Sequence, residues 1–395
     1  LSIKFSWRKD NQCFWKIDCS KKSYYINRSN EFYKEKKMNS LGSLFKVSSL
    51  GESHGDVVGC VIEGCPAGLS LDFDKIQLQV NRRKTGKQSF SSARQEDDQI
   101  EIVSGVFEGK TLGSPICILI KNKDSKPTDY DHLKDVYRPG HADYTIQQKY
   151  GFRDYRGGGR SSIRITAPMV AAGEIALQLI QHYYQVSIVA YVSQIGSVRC
   201  ETDYKHLNFS EIDNSIVRCP DVDTSNRMIE LIDQVQQERD TLGGKISCII
   251  QQLPVGIGEP IFGKLQAQLA HAMMSINTAK GFEYGDGFAS ASMKGSESND
   301  LFHKTTNGIE TSSNHCGGIL GGISNGMDIY FNIAFKPISS IQQEQTTLNT
   351  NQDEVKLKIK GRHDVCAVPR AVPIVEAYTA IVLADLLLQS KTNQL

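Results

Sequence analysis

Two short stretches, far apart in the chain, set a histidine in a turn flanked by glycine. Gly51-Glu52-Ser53-His54-Gly55 leads into the apolar run Val57-Val58-Gly59-Cys60-Val61-Ile62. Tyr137-Arg138-Pro139-Gly140-His141-Ala142-Asp143 is followed by Arg156-Gly157-Gly158-Gly159-Arg160-Ser161-Ser162. Glycine and proline at these points punctuate the regular elements on either side. A histidine on a turn reaches a ligand, and neighbouring glycines let the backbone approach it. The arginines clustered beside the second turn point to an anion.

Short apolar runs predict strands at Val57–Ile62, Ile100–Phe107, Ile116–Ile120, Ile188–Val192 and Ile246–Leu253. Helical spacing is as clear. Thr166 is expected to cap a helix with Pro168 in its first turn, running through Val170, Ile175, Leu177 and Leu179. Asn226 is expected to cap a second, carrying Met228, Ile229, Leu231, Ile232 and Val235. Phe262, Leu265, Leu269 and Met273 mark a third, and the last spans about Val372 to Leu388. Strands exceed what a bundle needs and long helices exceed what a sandwich needs, so the class is mixed α and β.

With 395 residues and 39% hydrophobic content the chain can bury a large core, and a net charge of +1 supplies no overall field for nucleic acid or a membrane surface. No apolar stretch approaches the length of a membrane span. The ten cysteines show no ligand spacing, and Cys60, Cys117 and Cys248 lie in apolar runs. That reads as a reducing compartment with no disulfide framework and no metal site. Residues 1–37 differ from the rest: both tryptophans lie there, with ten Lys/Arg against four Asp/Glu, and the first methionine is Met38. They read as a disordered extension, as upstream sequence, or as a basic transit peptide, and residues 38–395 as one catalytic domain.

The chemistry concentrates in the loops. Arg83, Arg138, Arg160, Arg164 and Arg362 recur beside Gly, His and Ser, and guanidinium forks suit carboxylates and phosphates. The run Gly157–Ser162 precedes a predicted helix, where free N–H groups cradle an anion. It fits neither a dinucleotide fingerprint nor a P-loop. Gly317–Gly326 carries almost no charge and reads either as a tight turn or as backbone that a flat ring lies against. Lys336-Pro337-Ile338-Ser339-Ser340 offers a cation and two hydroxyls in a turn. His54 and His141 suit proton transfer near neutral pH, and Asp364 reads as a first-turn carboxylate or a general base beside an anion site.

Taken in order, Gly51–Gly55, Arg138–Asp143, Gly157–Arg164, Gly317–Gly326 and Arg362-His363-Asp364 with Pro369-Arg370-Ala371-Val372-Pro373 resemble the chorismate synthase family from about Met38 to Leu388. The resemblance implies an α+β fold, a single large β-α-β sandwich, usually a homotetramer. It implies 1,4-anti elimination of phosphate from 5-enolpyruvylshikimate 3-phosphate to give chorismate, with reduced FMN as cofactor. Carried over by position, it implies catalytic roles for His54, His141 and Asp364, with Ser53 and Ser162 in their relays. His54 would lie near the flavin, His141 would face the departing phosphate as acid, and Asp364 would assist the flavin N5 in removing the ring hydrogen. FMN contacts would come from Arg160, Ser161, Ser162, Asn277, Thr278, Gly321, Lys336, Pro337, Ile338, Ser339, Ser340 and Arg362. Substrate anions would meet Arg83, Arg138 and Arg164.

The chain departs from the family's usual pattern at Ile163, Ile165 and Ser89. Two rival readings accompany this one: an FMN-dependent NAD(P)H oxidoreductase, for which no dinucleotide fingerprint is visible, and an anion- or RNA-binding protein, against which the near-zero charge argues. A cytoplasmic location is expected, or an organelle should residues 1–37 be a transit peptide.

Overall fold

A computed structural model of the chain describes residues 2–7, 13–19, 22–27, 39–84, 97–123, 127–306, 308–359 and 364–393. The chain forms two compact units, Leu1–Ser40 and Leu41–Leu395. In the first, Ser2–Trp7, Cys13–Cys19 and Lys22–Asn27 pair in sequence order as antiparallel strands. The sequence predicted no regular structure there. Aromatic and β-branched residues such as Phe14, Trp15, Ile17, Tyr24, Tyr25 and Ile26 fit a pleated backbone even without a clean period of two.

The second unit is built on two antiparallel sheets. From Lys46 onward the first runs Lys46–Gly51, Val57–Glu63, Ile116–Lys121, Ile100–Ser104. The second runs Val198–Arg199, Ser187–Ile195, Gly244–Gln251, Ile329–Phe335, Ala279–Tyr284. Alternation explains which face of the first sheet is buried. Val58, Cys60 and Ile62 lie opposite Ile120, Ile118 and Ile116, and all six are inaccessible to solvent. The predicted strand Ile100–Phe107 is divided at Gly105, whose φ of +85° and approach to Pro115 turn the chain.

Two long helices fill the space between the sheets. Thr166–Tyr183 packs on Val57–Glu63 and Ile116–Lys121. Val368–Ser390 packs on Ser187–Ile195 and Gly244–Gln251, and the two helices pack on each other. The layers are therefore sheet, helices, sheet: an α+β sandwich of the kind expected. A helix covered on both sides has no need of a polar face, and these two are apolar almost all round. Contrary to the expectation from sequence, Ile163–Tyr183 and Val368–Ser390 are long and apolar enough to cross a membrane, but 78% and 89% of those windows are buried inside the protein. Glu174, Arg370, Glu376 and Asp385 interrupt the apolar runs in the sequence. The buried Glu174 carboxyl, pushed above the usual range by burial, accepts a hydrogen bond from Gln178.

Two helix starts are corrected. Ser162, not Thr166, is the capping side chain: its Oγ accepts the Arg164 N–H at the head of a 3-10 turn, Ile163–Ile165, that runs straight into the long helix. Asp221, not Asn226, caps Val222–Gln237 by accepting the Thr224 N–H at 2.8 Å. The last helix starts at Val368, earlier than expected, with proline in its first turn, where the missing N–H is no loss.

The two central helices touch most closely at Gly173, where an added Cβ would lie 2.3 Å from Ala377 Cβ and 2.4 Å from its Cα. Gly173→Ala is expected to lower stability by roughly 1–3 kcal/mol, the range for overpacking a tight core. Denaturant unfolding checks this. Deleting residues 1–37 is expected to leave the melting transition of the second unit and its activity unchanged, as thermal melting and assay of the truncated chain would establish.

Candidate active site

The His54 turn is held by backbone and packing. Gly55 N–H donates to Glu52 O at 3.1 Å. The His54 ring lies against Gly157, where a Cβ would come within 2.4 Å of His54 Cδ2, so only glycine fits, and that glycine has φ +77°. Tyr130 stacks edge-on at a centroid distance of 4.7 Å. Ser53 Oγ is buried beside it with no hydrogen-bond partner among the described residues. Burial raises the proton affinity of the neighbouring Glu52, against the pull of Arg160.

The His141 turn is tied to its surroundings at three places. Arg138 Nε and Nη2 grip Asp143 at 2.8 and 2.7 Å, and Nη2 also donates to Gly157 O at 2.8 Å. Arg138, expected on substrate, thus holds the His141 turn and the His54 contact together with this edge. Burial and, oppositely, Arg138 act on the Asp143 carboxyl, which ends below the usual range. His141 Nδ1 lies 3.0 Å from Pro139 O, an acceptor only, so Nδ1 carries hydrogen and Nε2 faces Ser340 Oγ at 3.1 Å. Burial, then the Arg138 charge, depress the His141 pKa below its ordinary value. Lys336 Nζ donates to Gly140 O at 3.0 Å and to Ser339 Oγ at 2.5 Å. Burial, then Lys280, lower its pKa.

A third group lies where the helix Phe73–Arg83 ends and Val368–Ser390 begins. Asp98 receives Arg83 Nη2 at 2.9 Å and forms a short ion pair with Arg164. Asp364 is ion-paired with Arg370, whose Nε donates to Arg83 O at 3.3 Å. Arg83 is 3% exposed, and its Nε and Nη1 have no partner among the described residues. Burial lowers its pKa to about 10, opposed by Asp98 and helped by the Arg370 and Arg164 charges. Burial raises the Asp98 pKa, and the two arginines more than reverse that.

Asn122 connects these groups. Its Nδ2 donates to Glu52 O at 3.1 Å and Gly55 O at 2.7 Å, and its Oδ1 accepts Arg164 Nε at 2.8 Å. The residues expected to contact a cofactor divide. Asn277 Nδ2 donates to Ser161 O at 2.8 Å, and Thr278 O accepts the Lys336 N–H at 3.0 Å, so Asn277 meets the Gly157–Ser162 run and Thr278 the Lys336–Ser340 turn. Ile338 O accepts Thr241 Oγ1, and Pro337 is exposed. Arg160 donates to Gly51 O and to Ser49, bracing the strand before the His54 turn. Gly321 sits in the turn between Ile319–Leu320 and Ile323–Ser324, with nothing within 4 Å of its Cβ position. Its neighbour Gly322 packs on Glu259 and Lys264, so this part of the glycine run builds a tight hairpin. Arg362 and Ser89 lie outside the described residues.

Asn122, Asp98, Asp143, Tyr130 and Arg370 are the functional-site residues that sequence reasoning did not assign. Asn122, Asp98 and Tyr130 act across separations no local pattern reports, whereas Asp143, five residues after Arg138, and Arg370, six after Asp364, stood close enough to be read.

Comparison with known proteins gives the family and the fold. A family model described as chorismate synthase matches residues 45–388. The chorismate synthase of Christiangramia forsetii is 52% identical over 357 residues, covering 90% of this chain and 99% of that one. That of Cytophaga hutchinsonii is 50% identical over 358 residues, with the same coverage. A solved structure described as a crystal structure of chorismate synthase superposes with a TM-score of 0.69 at 31% identity, covering 87% of this chain and 91% of that chain. A sandwich of this topology, with these histidine turns and full-length relatives of one activity, makes the chain a member of the chorismate synthase family, the lyases that form chorismate in the shikimate pathway.

Proposed function

We propose that this site carries out chorismate formation as a 1,4-anti elimination of phosphate and a ring hydrogen from 5-enolpyruvylshikimate 3-phosphate, with reduced FMN as cofactor. The observation that carries the reading is the linkage of His54, His141 and the Arg83–Asp98–Arg164 group into one assembly, by hydrogen bonds from Arg138 and Asn122 and by packing of the His54 ring on Gly157. The substrate bears a phosphate and two carboxylates, and the assembly offers them guanidinium groups. Arg83 is the foremost of these, since its Nε and Nη1 are buried without a partner among the described residues.

The residues also suit a phosphate-bearing flavin. Lys336, Ser339 and Ser340 make a cationic, hydroxyl-rich turn beneath Gly140, where an added Cβ would stand 2.6 Å from Ser339 Oγ. Ser53 Oγ, buried with no hydrogen-bond partner among the described residues, lies near the His54 ring. FMN would be held by the Lys336–Ser340 turn with Arg160, Ser161, Ser162, Asn277 and Thr278, and by Gly321 and Arg362. Reduced FMN would supply electron density to the allylic ring with no net redox change.

The protein's own groups manage protons and charge. In the free protein His141 is poised neutral with its Nδ1 hydrogen on Pro139. An arriving phosphate raises its affinity for a proton, and Nε2 then delivers that proton to the departing phosphate oxygen. The C–O bond electrons leave with phosphate. The electrons of the breaking C–H bond form one new double bond, the ring's existing double bond shifts onto the carbon that loses phosphate, and the Asp364 carboxylate, oriented by Arg370, helps take the ring proton. His54, with Ser53 beside it, would face the bound flavin and steer a proton there. We propose a homotetramer on the family resemblance. We place the enzyme in the cytoplasm.

His54→Ala, His141→Ala and Asp364→Ala are expected to bind FMN and substrate about normally while turnover falls roughly ten- to ten-thousandfold. Calorimetry and anaerobic assay check this, and wild-type turnover in all three contradicts it. The His141 pKa, read by NMR, is expected below 6.5 in the free protein and higher with substrate bound. Because its folded value is depressed, this histidine's share of stability is present above about 6.5 and is lost as pH falls through the folded value. An unshifted midpoint contradicts this.

A further inference from the structure

We infer that Asn122 is a positioning residue for the reaction, setting the His54 turn against the arginine group. It stands at the end of the inner-sheet strand Ile116–Lys121, and its backbone N–H donates to Asp56 O at 3.0 Å. The side-chain amide is used on both sides. Its two hydrogens go to Glu52 O and Gly55 O, the two ends of the turn that carries Ser53 and His54. Its oxygen accepts Arg164 Nε, while Arg164 Nη1 pairs with the Asp98 that also holds Arg83. One planar group therefore fixes the spacing between a histidine turn and two buried guanidinium groups. An amide suits the position because it donates to two carbonyls and accepts from a cation at once. Aspartate has the same shape and would still attract Arg164, but it cannot donate to the turn.

That Asn122 positions catalytic groups rests on the proposed role of His54, so the test separates the two. Asn122→Ala and the isosteric Asn122→Asp are compared with wild type, His54→Ala and the Asn122→Ala/His54→Ala double variant. Readouts are kcat, KM, thermal melting and the His54 ring resonances by NMR. A misplaced catalytic group costs up to about a hundredfold in rate, so a fall in kcat of at least about tenfold is expected for both Asn122 variants, with displaced His54 resonances. The double variant is expected to turn over within about twofold of His54→Ala, the mark of residues acting through one another. Additive losses, or unmoved His54 resonances in two folded variants, would overturn the proposal whatever happens to melting. Should His54→Ala alone turn over like wild type, the catalytic role of His54 fails. In that event the His54 resonances still decide whether Asn122 sets the turn: unmoved, they overturn the proposal.

Discussion

Asp98 lies between two buried guanidinium groups, and the organisation of the site depends on that arrangement. Arg83, Arg164 and Asp98 are all at most 5% exposed. Taking such charges out of water is costly, and removing one partner of a buried pair typically costs about 3–5 kcal/mol because the other is left uncompensated. Asp98 adopts φ +47°, unusual for a residue with a side chain, and two ion pairs hold it there. Its pKa is net depressed, so its contribution to stability is present above the ordinary carboxylate range and is lost as pH falls through the folded value. One carboxylate against two arginines leaves positive charge in excess.

The sandwich explains why these charges meet. Ser162–Arg164 immediately precede one central helix, and Arg370 lies in the first turn of the other. Arg83 closes a third helix, while Asn122 and the His54 turn follow and precede strands of the first sheet. Apolar packing of helix against sheet fixes the ends of these elements, and polar contacts between the ends assemble the site. Gly173 and Gly157 perform the same service at two scales, one letting helices approach and the other letting a histidine ring lie on backbone.

Much of this was legible in the sequence, for identifiable reasons. Strands such as Val57–Glu63 and Ile116–Lys121 are short apolar runs bounded by polar or turn residues, and the structure extends each by only a residue. His54 and His141 were visible because glycine marks the turns that carry them. Helix starts slipped because Thr166 and Asn226 are plausible caps, yet Ser162 and Asp221 reach the open N–H groups first. The two core helices escaped a search for membrane-length runs because buried Glu174 and Asp385 interrupt them. Asp385 is there to accept the N–H groups of Ser43, Leu44 and Phe45, some 340 residues away. The contact of Arg138 with Gly157 and the junction at Asn122 are three-dimensional facts that spacing in one chain does not encode.

The central claim is that this bonded assembly eliminates phosphate with the help of reduced flavin. A single-turnover experiment tests it most directly. Protein, photoreduced FMN and 5-enolpyruvylshikimate 3-phosphate are mixed without oxygen while chorismate absorbance is followed. The account requires chorismate and phosphate to appear together, only with reduced flavin, and with no net oxidation of the flavin at the end. Equal turnover with oxidised FMN or with none, or stoichiometric flavin oxidation, would contradict it.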